Sequence, residues 1–337
     1  MTEHRRRRGI FYLLIVPLFL AAFGIATAAM GQESPKPDVA KPDVAKPDLA
    51  KPPALALVVL GSGGPAALGR AGSCHLVLID GVPRILVDAG PGSFVRLGET
   101  GLSLAKIDIQ LLTHLHADHA GELPGLIKAR AVDVRAPIRF EIFGPAGHAK
   151  KGDAAYFPST SRLIDLLFGA KGAFAYLPDF AGHVTFHVKD LPATPRAGLQ
   201  PSVIYTEGGL VIRAIPGHHR DAPSVIYRID YAGKSITFSG DIDADGLDDL
   251  RKIATDTTLL VFNSVVLDPP EAPPILYTLH SPPNAIGRVA NDSKVHGLLL
   301  AHLSPATDEN RDEVEKSIRQ FYAGPITFAS DKLRVEP

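Results

Sequence analysis

The segment Thr113-His114-Leu115-His116-Ala117-Asp118-His119 packs three imidazoles and a carboxylate into six positions. His114 and His116 are two apart, so on extended backbone their side chains leave the chain on the same side. If the chain then turns into a helix, Asp118 and His119 swing to a second position beside the first. Imidazole and carboxylate suit zinc, with iron or manganese as alternatives, so the chemistry within reach is metal-assisted hydrolysis. The competing reading is a set of surface histidines, with Asp118 capping the helix. At a few per cent usage per residue type, four fixed positions arise by chance in a chain of this length about once in a thousand. That favours the metal. The single cysteine, Cys74, provides no thiolate set for a structural zinc and no internal disulfide.

A two-metal site needs more ligands, ideally at strand ends where rigid elements hold them. Three candidates stand there. His219 follows a strand ending at Ile215, Asp241 follows Ile236–Gly240, and His302 follows the apolar run Gly297–Ala301. A carboxylate such as Asp241 can bridge two metals. His302 alone reads as an ordinary surface histidine; the ordered set carries the inference.

The elements that must position these groups lie in residues 54–337. Ala56–Leu60, His75–Asp80, Arg84–Asp88, Ile107–Thr113, Gly209–Ile215, Val225–Tyr231, Ser235–Ser239, Leu259–Phe262, Gly297–Ala301 and Ile326–Ala329 read as strands. Ala120–Ala131, Ser161–Phe168, Leu247–Ala254, Asn284–Asn291 and Glu313–Tyr322 read as helices. Strand-rich stretches in both halves, each with helices, predict two packed sheets covered by helices, with no linker dividing them.

The first 53 residues read differently. Arg5–Arg8, an apolar run from Ile10 to Ala29 and the small-residue site Ala26-Thr27-Ala28 make residues 1–31 an export signal or an uncleaved membrane anchor. Either reading places the remainder outside the cytoplasm, in the periplasm or facing it, because the arginines stay inside. Residues 32–53 carry the repeat KPDVA-KPDVA-KPDLA-KPP, whose regular prolines predict an extended spacer. Residues 1–53 hold eight of the 35 basic and five of the 36 acidic residues, leaving 27 against 31 in the folded part. A mildly acidic domain argues against a nucleic-acid partner and for a small-molecule ester.

The segments LGSGGPAALGRAGS, RILVDAGPGS, LLTHLHADHAGEL, FGPAG, HHRDAPSVIYRI, FSGDI, LHSPPNAIGRVA and LLLAHLSP occur in an order that resembles the metallo-β-lactamase superfamily, and within it the branch of tRNase Z and arylsulfatase-like hydrolases. The resemblance covers essentially all of 54–337. It implies an α+β fold, the four-layer αββα sandwich of two mixed β-sheets. It implies two divalent ions, His114, His116 and His219 holding one, Asp118, His119 and His302 the other, and Asp241 between them. His218 competes with His219; the spacing to Pro223 and Tyr227-Arg228 favours His219. Asp88 matches a position that supports a ligand histidine, or is simply a turn residue before Gly90-Pro91-Gly92. His280 falls where the branch carries a proton donor to the leaving oxygen, or is a helix-entry histidine. Asp118 and His280 are thus the catalytic candidates.

Two cations a few ångströms apart lower the pKa of a shared water toward ~7 and neutralise charge on the attacked group. This suits phosphodiesters, sulfate esters and activated carbonyls. Residues 144–200 do not read as the Gly-rich arm with which tRNase Z grips tRNA, and Asn263-Ser264 stands in a run where that branch has His-Glu-Ala-Thr. The expectation is therefore an exported dinuclear hydrolase of a small phosphodiester or aryl sulfate. The alternatives are a tRNase Z-like endoribonuclease, a lactone or β-lactam hydrolase, and a metal-binding protein without turnover. Phe157, Phe168, Phe174, Tyr176 and Phe180 either wall a pocket for an aromatic ester or pack the core. Relatives often pair, and Pro273–Tyr277 is the candidate homodimer surface.

Overall fold

Chain reversals at polar turns cut the apolar runs into short strands, which sort into two mixed sheets of seven strands each among the described residues. The computed structural model describes residues 52–66, 69–133, 136–148, 156–180 and 183–337. The export signal or anchor, and the spacer as far as residue 51, lie outside the described residues.

The first sheet takes β1 (Leu55–Gly61), β2 (Cys74–Ile79), β3 (Val82–Val87), β4 (Ile109–Leu111), β5 (Ile138–Pro145) and β6 (Val184–Leu191). The second takes β7 (Ser202–Glu207), β8 (Leu210–Pro216), β9 (Val225–Tyr231), β10 (Lys234–Phe238), β11 (Leu259–Asn263), β12 (Leu298–Ala301) and β13 (Ile326–Phe328). The last strand, β14 (Arg334–Val335), returns to the first sheet and pairs with β1. Helices α1 (Ser93–Glu99), α2 (Ala117–Ala120), α3 (Leu123–Asp133) and α4 (Thr160–Phe168) come from the first half, and α5 (Leu247–Ala254), α6 (Pro283–Asp292), α7 (Pro305–Glu309) and α8 (Arg311–Ile318) from the second.

Successive side chains on a strand face opposite ways, so a strand covered on both faces must be apolar throughout. β1 shows this. Leu55, Leu57 and Val59 join the core between the sheets, which also holds Tyr227, Phe238 and Val261. Ala56, Val58 and Leu60 join an outer core with Leu97 of α1, Leu126 and Ile127 of α3, and Ile164 of α4. A third core packs Leu250 of α5, Ile286 of α6 and Val314 of α8 against Leu260 and Phe262 of β11. Three apolar layers between four layers of elements make the expected αββα sandwich.

Strands β5, β6, β7 and the two-residue β14 are additions to the sequence reading. β6 and β7 are edge strands with many exposed positions, so their apolar signal is weak. The single helix expected over Ala120–Ala131 is instead two helices, α2 and α3. Pro124 has no N–H to give the Ala120 carbonyl, and its ring would clash with that carbonyl in a continuous helix. The break frees α2 to serve as a one-turn platform.

Both sheets bring strand C-termini to one edge. β3, β4 and β5 run parallel in one sheet, and β10, β11 and β12 in the other. Two hydrogen bonds join the sheets there. Tyr227 Oη–H donates to the Leu112 carbonyl at 3.0 Å, and the Val225 N–H donates to the Thr113 carbonyl at 2.8 Å. They hold the start of the histidine segment against the opposite sheet.

Candidate metal centre

Every residue of the proposed ligand set emerges at that edge. His114 and His116 leave the loop after β4, His219 follows β8, Asp241 follows β10 and His302 follows β12. His116 is the N-cap of α2, and the single turn carries Asp118 and His119. Ligand atoms of His114, His116 and His219 lie within 4.8 Å of one another, as do those of Asp118, His119 and His302, and those of Asp241 with His114 and His119. The structure thus brings all seven sequence-predicted residues together in the two groups expected.

Asp241 is the hub. Its Oδ2 lies 3.6 Å from His119 Nε2, 3.6 Å from His302 Nε2, 3.8 Å from His219 Nε2, and 3.9 Å from both His114 Nε2 and His280 Nδ1. These distances exceed a hydrogen bond. They sit near the roughly 3.4 Å that separates two ligand atoms on one tetrahedral zinc. His114 Nε2, His119 Nε2 and His280 Nδ1 are buried with no hydrogen-bond partner, which is costly unless something else binds them. The donor set fits a pair of divalent cations: imidazole nitrogens and carboxylate oxygens, with no sulfur.

The protonation tendencies point the same way. Burial pushes the His114 pKa well down. Burial would raise that of Asp241, but His302, His119 and His280 around it hold the carboxyl well below the usual range. Neutral imidazole and ionised carboxylate are the ligating forms. Burial opposes charge on His119, but the carboxylates of Asp88 and Asp241 outweigh it and raise its pKa. A carboxylate on each side favours positive charge there, whether a proton or a cation supplies it.

Supporting groups fix the rings. His119 Nδ1 is 2.8 Å from Asp88 Oδ2. Asp88 in turn accepts from the Thr113 N–H at 2.8 Å and from Thr113 Oγ1. Asp88 is 2% exposed and sits at φ 62°; His302 sits at φ 54°. Such left-handed non-glycine residues cost about 1–3 kcal/mol each and gather at functional sites. Asp88 thus contacts the His119 ring directly, at the position the support reading gives it. His219 donates Nδ1–H to the Leu279 carbonyl at 2.7 Å, leaving Nε2 for the centre. His218 turns away, its Nδ1 2.7–2.8 Å from both oxygens of Asp243, whereas His219 Nε2 faces Asp241 at 3.8 Å. His280 lies inside the cluster, where burial pushes its pKa down to about 4. It also forms a group of ligand atoms with His219 and Asp241. Among the aromatic residues read as a pocket wall, Phe157 reaches the centre, its ring 5.8 Å from that of His116. Phe168 is buried in the outer core with Phe174 packed against it. Tyr176 and Phe180 are exposed beside the Lys128 amino group.

One supporting residue was missed. Asn263, at the end of β11, donates Nδ2–H to Asp241 Oδ1 at 2.7 Å, and both residues are buried. This occupies one carboxylate oxygen and leaves Oδ2 to face the imidazoles. A lone Asn after an apolar strand carries no signal in one sequence. Asn263→Ala should weaken metal binding about 10–100-fold, as loss of a ligand's hydrogen-bond partner generally does; competitive titration with a chelating dye checks it, and an unchanged affinity removes Asn263 from the site.

A family model described as the beta-lactamase superfamily domain matches residues 83–303. The chain belongs to the metallo-β-lactamase superfamily. Ribonuclease Z of Mycobacterium avium (strain 104) is 29% identical over 294 residues, covering 84% of this chain and 98% of that protein. Ribonuclease Z of Mycobacterium tuberculosis (strain H37Rv) is 28% identical over 295 residues, with the same coverage. Among solved structures, the human short-form tRNase Z aligns at 21% identity with a TM-score of 0.62, covering 84% of this chain and 99% of that one. The metallo-β-lactamase-fold protein YhfI of Bacillus subtilis aligns at 19% identity with a TM-score of 0.61 and the same coverage. At those identities the structures speak for the fold. The curated relatives overturn one expectation, that the domain's charge argues against a nucleic-acid partner, because they are ribonucleases by name. Net charge is a poor guide here because it averages over the whole domain and places no charge.

Proposed function

We propose that this chain is a dinuclear metal-dependent phosphodiesterase of the ribonuclease Z type, hydrolysing phosphodiester bonds of RNA, with zinc as the metal. The observation that carries it is the Asp241 carboxylate oxygen ringed by imidazole nitrogens at 3.6–3.9 Å, joined to relatives named Ribonuclease Z over most of the chain. His114, His116 and His219 would hold one ion, Asp118, His119 and His302 the other, and Asp241 would lie between. Bound there, the pair supplies an activated water at neutral pH and neutralises charge on the attacked phosphate. The chain's own groups do the rest. Asp88 and the Leu279 carbonyl lock the tautomers of His119 and His219. His280, neutral at its burial, presents Nδ1 to take up the proton lost by the attacking water and pass it to the leaving oxygen. Export, read from Arg5–Arg8 and the following apolar run, belongs to the same proposal and puts the substrate outside the cytoplasm.

The test is a panel: an RNA with a 3′ extension, bis(4-nitrophenyl) phosphate, 4-nitrophenyl sulfate, nitrocefin and a homoserine lactone, each with and without chelator. Chelator-sensitive cleavage of the RNA and of the phosphodiester is expected. Turnover of the sulfate, lactone or nitrocefin alone would replace this reading by one of the other ester chemistries, and no turnover at all would make the chain a metal-binding protein. Metal analysis of the active protein tests zinc against iron and manganese.

A further inference from the structure

Beside His219 the surface opens into a cleft of about 560 Å³. Pro192, Pro195, Leu199 and Pro223 give it apolar walls, and Arg196 and Arg220 line it. Both arginines are exposed. Elsewhere the fold uses its arginines structurally: Arg70, Arg84, Arg96, Arg213 and Arg228 each hold a carboxylate within 3.1 Å. Arg196 and Arg220 hold none among the described residues. Arg220 directly follows His219, and its backbone is pinned: φ is 54°, and its N–H donates to Asp243 Oδ2 at 3.1 Å. Among the described residues, the other charged or titratable groups lining the cleft are Asp221, His148, His218 and His219. His148 Nε2 lies 2.7 Å from the Asp221 carbonyl oxygen, and His218 is paired with Asp243. Asp221 lines the cleft and Asp243 stands behind His218 and Arg220, so what marks the cleft is a pair of exposed guanidiniums that hold no carboxylate among the described residues.

We infer that this cleft seats the RNA strand next to the scissile phosphate, Arg220 and Arg196 taking the neighbouring phosphates and the proline-lined wall a base or ribose. The inference rests on the phosphodiesterase reading above and adds to it where the strand lies. An arginine fork matches a phosphate in charge and geometry, and an apolar wall can cover the face of a base or ribose without reading its edge. A compact uncharged ester would use the wall alone and leave both guanidiniums idle.

Two measurements on the full chain with its metals test this. In the first, a fluorescein-labelled octauridylate is titrated by anisotropy at several salt concentrations. Arg196→Gln and Arg220→Gln should each weaken binding roughly three- to tenfold and flatten the log–log salt slope by about 0.7. Lys106→Gln, an exposed charge ahead of the opposite end of β4, is the reference for general electrostatics. An equal loss in that variant, or no loss in either arginine variant, overturns the assignment. In the second, the ratio of kcat/KM for the oligonucleotide to that for bis(4-nitrophenyl) phosphate should fall about tenfold in the double variant; an equal fall on both substrates also overturns it. If neither substrate is cleaved by the unaltered protein, the phosphodiesterase reading fails, while the binding arm still decides whether the arginines hold a strand.

Discussion

Replacing Asp241 by alanine is expected to lower chelator-sensitive hydrolysis of bis(4-nitrophenyl) phosphate by about three orders of magnitude, some 4 kcal/mol of barrier, and to reduce bound metal from two ions per chain to one or fewer. The reason is electrostatic. Among the described residues, Asp241 Oδ2 is the one anionic atom within 4 Å of nitrogens from both proposed ligand triads. Without it, two divalent charges would sit side by side in a buried site with nothing negative between them, where their repulsion is poorly screened. Asp241→Asn separates charge from volume. It keeps the size of the side chain and loses the charge, so it should lose nearly as much. Elemental analysis alongside kinetics reads both quantities. Should either variant retain two ions and a rate within tenfold, the central carboxylate does not hold the pair.

His280→Ala has the second largest expected effect, and it depends on the substrate. On an RNA phosphodiester the leaving alkoxide needs a proton, and loss of a placed donor should cost about 10²–10³-fold in kcat. On bis(4-nitrophenyl) phosphate the nitrophenolate departs without one, so the loss should be under about tenfold. The contrast matters because His280 also forms a group with His219 and Asp241 that could itself bind an ion. A ligand role would lower metal content and depress both substrates together. A proton-transfer role leaves metal content near two and penalises the poor leaving group. An unchanged rate on RNA would dismiss both roles and return His280 to the entrance of α6.

Much of the centre was legible because its chemistry is local. His114, His116, Asp118 and His119 lie within six positions, and their spacing on a strand end followed by one helical turn already presents two groups. His219, Asp241 and His302 were legible as residues just past strand ends, where chain order and element type do the locating. Asn263, Arg196 and Arg220 were not, because nothing beside them in the sequence distinguishes an amide or guanidinium with a task from one in solvent. Net charge is silent on nucleic acid for a related reason: it counts side chains without placing them.

By itself the sequence determined two packed sheets covered by helices, because apolar strands and amphipathic helices have few ways to bury their apolar faces together, and the resemblance in its motifs named that arrangement the αββα sandwich. The sequence also determined the donor chemistry, because imidazole and carboxylate without thiolate restrict the metal and the reaction. Tertiary structure alone decided which of His218 and His219 turns inward, that Asp88 props His119, and that Asn263 holds one oxygen of Asp241. Each of these choices depends on a partner 22 to 60 positions away. A hydrogen bond or a cation acts over a few ångströms, and only the packing of the two sheets brings such distant residues that close.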